Sequence, residues 1–114
     1  MPVALIAVLA ASHLVLAAAD KVPQFDTAPS CKAAAAVQVM PNRDSNACER
    51  DEATAKDQLT KQWKDFPADE RARCTRLSHL GGGPSYVELL TCLDMAKAAA
   101  NIPDDQKLKP RVGR

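Results

Sequence analysis

Apolar and polar positions alternate along this chain in blocks that read as helices. Residues 3–16 are apolar almost without interruption. Further on, Cys48, Ala55, Leu59, Trp63 and Phe66 recur at helical spacing, Cys74, Leu77 and Leu80 make a shorter stripe, and Tyr86, Leu89, Leu90, Leu93 and Ala96 make another. Each stripe predicts a helix with one face turned inward. Residues 31–38 are mostly alanine and favour helix, but so short a helix is marginal in isolation and needs a tether. No stretch alternates at strand period over a useful length, and no repeat occurs, so the fold class is all-α.

The punctuation between the stripes refines this picture. Asn46 and Glu49 can form a capping box, which starts a helix running to about Lys64. Its acid-to-base pairs, Glu52 with Lys56 and Asp57 with Lys61, suit a solvated face. Pro67 fits the first position of the next helix, with Asp69 and Glu70 at its positive end, and Gly81 can close that helix in the left-handed conformation. Ser85 with Glu88 is a second capping box, so the last helix begins at Tyr86. Residues 40–45 read as a polar turn. Pro23 and Pro29 make residues 20–30 an extended arm, and Asn101, Ile102 and Pro103 end the helical region. Beyond them lies a mobile charged tail, 101–114, whose Lys107, Lys109, Arg111 and Arg114 are diluted by Asp104 and Asp105 and suit solvent.

The apolar block at 3–16 is shorter than the roughly 20 residues a bilayer span needs, and it runs into Ala17, Ala18 and Ala19. It reads as a signal peptide of residues 1–19 cleaved between Ala19 and Asp20, the alternative being an uncleaved membrane anchor. Cleavage leaves 114 − 19 = 95 residues, with no further segment able to cross a membrane as a helix. Fifteen basic and fourteen acidic side chains, all beyond residue 19, give a net charge of +1, which argues against nucleic acid as a partner.

A chain of this size builds a thin core, and export makes disulfides the natural supplement. Cys31, Cys48, Cys74 and Cys92 then form two bridges within residues 31–100, giving a small disulfide-stapled bundle of three to four short helices. Four cysteines allow three connectivities. If the two helices either side of the glycine turn run antiparallel, Cys74 and Cys92 stand at similar heights, while Cys31 with Cys48 would tether the alanine helix. That geometry favours Cys31–Cys48 with Cys74–Cys92, followed by Cys31–Cys74 with Cys48–Cys92. Trp63, Phe66 and Tyr86 are expected as the aromatic centre of the core.

Candidate chemistry is sparse. No C-x-x-C occurs, and His79 is the only histidine beyond the leader, without spaced partners for a triad or a metal site. The glycine run 81–83 lacks the Lys-Ser/Thr of a phosphate loop and follows a helix where that loop needs a strand. The expectation is therefore no catalytic residue, no metal and no cofactor.

The Trp63-x-x-Phe66 pair, Cys74 and above all Gly83-Pro84-Ser85-Tyr86-Val87-Glu88-Leu89-Leu90-Thr91-Cys92-Leu93-Asp94-Met95 resemble a group of small exported four-cysteine proteins of Rhizobiales and related alphaproteobacteria, over about residues 31–96. The resemblance implies a periplasmic or secreted location and no catalytic residues. The function expected is a non-enzymatic binding or envelope-associated module with an envelope protein as partner. The alternative is a carrier of a small apolar ligand or lipid.

Overall fold

The computed structural model describes residues 20–37 and 45–108. The expected signal peptide, the polar turn before Ser45 and the end of the charged tail lie outside the described residues. Helix α1 spans Ala28–Val37, α2 Ser45–Gln62, α3 Ala68–Leu77 and α4 Tyr86–Ala100. Short 3₁₀ turns follow α2 at Trp63–Asp65 and α4 at Asp104–Gln106. The fold is all-α, with no strand among the described residues.

Helix α4 packs on both α2 and α3, and α1 packs on α2. The core lies between them: Ala55 and Leu59 from α2, Trp63 and Phe66 from the turn that ends it, Cys74 from α3, and Tyr86, Leu89 and Leu93 from α4. Leu59, Leu89 and Leu93 are completely buried, each worth about 1.5–3 kcal/mol relative to exposure. The Arg71 guanidinium lies 5.5 Å from the Trp63 ring centre. Disulfides join Cys31 to Cys48 and Cys74 to Cys92, with Cα atoms 5.5 and 5.6 Å apart. The first holds α1 to the start of α2, and α1 contributes only Cys31 to the buried interior.

Several local expectations need correction. Helix α1 starts at Ala28, inside the expected arm, because Asp26 accepts the Ala28 N–H at 3.1 Å and Thr27 O accepts the Cys31 N–H at 3.0 Å. The rest of the arm is docked: Val22 and Phe25 pack on the core, and the Tyr86 hydroxyl accepts from Phe25 N and donates to Pro23 O, both at 2.8 Å. Helix α2 begins at Ser45, so Asn46 sits inside its first turn; Glu49 instead accepts from the Thr27 hydroxyl at 3.2 Å. Helix α3 stops at Leu77, and the left-handed residues of the turn are Gly82 and Gly83 rather than Gly81. Leu80, past the helix end, is exposed, and so is Leu77 on the helix itself, so the inward stripe of α3 reduces to Cys74. The described part of the tail is a 3₁₀ turn with a Lys107–Asp104 ion pair at 2.9 Å.

Candidate functional site

The glycine turn does more than reverse the chain, because it rests against the first turn of α1. A side chain on Gly83, whose φ is +139°, would come within 3.2 Å of Ser30 N, and the Ser30 hydroxyl donates to Pro84 O at 3.0 Å. Every helix start carries unsatisfied N–H groups. For α4 they are met in two ways. Ser85 Oγ accepts from Glu88 N at 3.2 Å, the bond its capping box requires. The remaining donors are served by a residue of another helix: the Glu52 carboxylate of α2 accepts from Ser85 Oγ at 2.5 Å, Tyr86 N at 2.6 Å and Val87 N at 3.4 Å.

Glu52 is only 5% exposed, which corrects its placement on a solvated face. Buried carboxylates persist where charged hydrogen bonds and a helix N-terminus balance them, and both are present here. The signal was in the spacing: Glu52 falls between Cys48 and Ala55 on the inward stripe of α2.

Beside this polar knot runs an open groove of about 540 Å³ between α1, α2 and the start of α4. Its walls are small and apolar, with Ala33, Ala34 and Val37 from α1, the Cys31–Cys48 bridge, and Val87 from α4. Glu52 and Ser85 lie at its base, already bonded to each other, and Asp51 and Glu88 stand at its edge. Val37 is 66% exposed and Val87 39%, so the groove has apolar surface to offer.

Ser85 bonded to a carboxylate invites comparison with a nucleophile and its base. The arrangement does not serve that role. Ser85 is 6% exposed and its oxygen accepts the Glu88 N–H, while the second Glu52 oxygen is taken by the Tyr86 and Val87 amides of α4. His79 is exposed and meets the Phe25 ring edge-on at 5.0 Å, on the side of the body that carries the arm.

The structure gathers Trp63, Phe66 and Tyr86 into the core, all at or below 5% exposure, and Phe25 joins them with its ring 4.8 Å from that of Tyr86. Asp20 is exposed, and Ala19 lies outside the described residues. Among the described residues no group of three or more His, Cys, Asp or Glu side chains is placed to hold a metal ion, and no helix is long and apolar enough to cross a membrane. Comparison with protein-family models, with curated proteins and with solved structures finds no match for this chain.

Proposed function

We propose that the protein is an exported, non-enzymatic binding module, periplasmic or secreted, that engages an envelope protein through the groove between α1 and α4. The observation that carries this reading is the contrast between a filled interior and an unfilled surface. Leu59, Leu89 and Leu93 are completely buried, while the groove leaves Val37 and Val87 open to solvent. Export is supported by the two disulfides, which persist in oxidising compartments, and by the apolar leader ending at Ala19.

A photo-crosslinking residue placed at Val37 in the cell tests the module, with Leu80, also exposed, as the control position. The expected result is a discrete protein adduct from Val37 and none from Leu80. Equal labelling at both positions refutes the assignment of the groove.

A second reading, a carrier of a small apolar ligand, draws on the groove's volume, about 540 Å³, which falls within the roughly 300–1,000 Å³ of small-molecule sites. An open, acid-edged groove suits it less well, because a fatty acid would bring its carboxylate near Asp51 and Glu88. A lipid adduct from Val37 in place of a protein would decide for the carrier.

A further inference from the structure

We propose that the groove receives a basic, aliphatic segment of a partner protein, its apolar side chains against Ala33, Ala34, Val37 and Val87 and its cationic groups at the edge formed by Asp51 and Glu88. This rests on the groove being the working surface of the module. The argument is charge complementarity. Three carboxylates line the groove, those of Asp51, Glu52 and Glu88, and no Lys, Arg or His is among its described lining residues. The charge of Glu52 is balanced by the α4 N-terminus, so the acidic character lies at the edge.

Helix periodicity explains why the one base of α1 does not intrude. Lys32, the only ionisable residue of α1, shares with Ala36 the face opposite the groove, whereas Ala33, Ala34 and Val37 share the lining face. The same chemistry continues along α4. From Val87 to Met95 its exposed positions Val87, Glu88, Thr91, Asp94 and Met95 combine apolar groups with acids, Met95 being 68% exposed, and the one base of α4, Lys97, stands apart in the last turn. The Thr91 hydroxyl is bonded back to Val87 O at 2.7 Å. The Glu88 carboxylate lies close over Gly81, where an added side chain would meet its Oε1 at 2.6 Å. An anionic lipid or peptide would meet like charge on this surface, while a cationic amphipathic segment would meet opposite charge beside apolar walls.

The test uses the mature protein with both disulfides intact and a short fluorescein-labelled peptide with leucine and lysine at helical spacing, set against a twin with glutamate for every lysine. Anisotropy is expected to rise saturably with the lysine peptide and not with its twin, and to fall as salt is added. Glu88→Gln and Val37→Ser should each weaken binding at least tenfold while melting like the parent, since both side chains are exposed and neither change sets a charge against a helix end. Absence of saturable binding by the lysine peptide, equal binding of the twin, or unchanged binding by both variants overturns the proposal. A protein adduct at Val37 together with no lysine-peptide binding would leave the module standing and remove only its cationic partner.

Discussion

Replacing Glu52 tests whether a carboxylate supplied by one helix is what starts another. In Glu52→Ala the Ser85 hydroxyl and the Tyr86 and Val87 amides lose their acceptor in a site that is 5% exposed. A hydrogen bond to a charged group is worth about 1.5–3 kcal/mol, and the two short ones here sum to about 3–6. Relief of the carboxylate's burial offsets part of that, since desolvating an ion costs several kcal/mol, and a net loss of about 2–4 kcal/mol is expected. For a domain of this size each kcal/mol moves Tm by roughly 4–8 °C, so Glu52→Ala should melt about 10–25 °C lower. Glu52→Gln keeps the length and one acceptor but offers an amide to the α4 donors, and should fall about midway between the two. The measurement is thermal unfolding by circular dichroism of the oxidised protein. A Tm within about 4 °C of the parent for Glu52→Ala would refute the claim that this carboxylate holds α4 to α2.

Tyr86→Phe removes both arm hydrogen bonds and should cost about 1–3 kcal/mol, with the Phe25 amide losing its protection from hydrogen exchange. Protection equal to the parent would show that packing alone holds the arm. Replacing Cys31 and Cys48 together by alanine should cost about 3 kcal/mol and selectively melt α1, seen as loss of its helical NMR shifts while those of α4 persist. Trp63→Ala opens a large cavity in the core and should cost about 3–5 kcal/mol; a melt within a degree or two of the parent would place Trp63 outside the core. The intact mass of the exported protein should begin at Asp20, and a form retaining Met1 in the membrane fraction would overturn that boundary.

The fold class was legible in the stripes of the two longer helices, α2 and α4, and in the lack of any stretch at strand period. The start of α4 was legible too, since Ser85 and Glu88 carry it within four residues of sequence. What lay beyond the sequence were contacts made across it. Glu52 reaches a helix start 33 residues away, and its pairing with Lys56 on paper suited an exposed face equally well. The arm showed no period to mark it as packed, because what fixes it is a tyrosine hydroxyl 61 residues on. Leu77 and Leu80 misled for the opposite reason. Leu80 keeps helical spacing on paper but lies past the end of α3, and one turn on from Cys74 the buried side chain is Ser78 and not Leu77. The groove was illegible altogether, since it exists only where the alanine face of α1 meets the first turn of α4.

The docked arm also sets the length of any tether. Val22 is already packed on the body, so only Asp20 and Lys21 separate the proposed leader from folded protein, a reach of about 7 Å at full extension. Were the proposed leader retained in a bilayer, a tether this short would keep the body close to the lipid. Once the leader is removed, the same shortness leaves an aminopeptidase only two loose residues before it meets ordered chain. Either way, how residues 22–27 lie on Tyr86 determines how much free chain precedes the folded body.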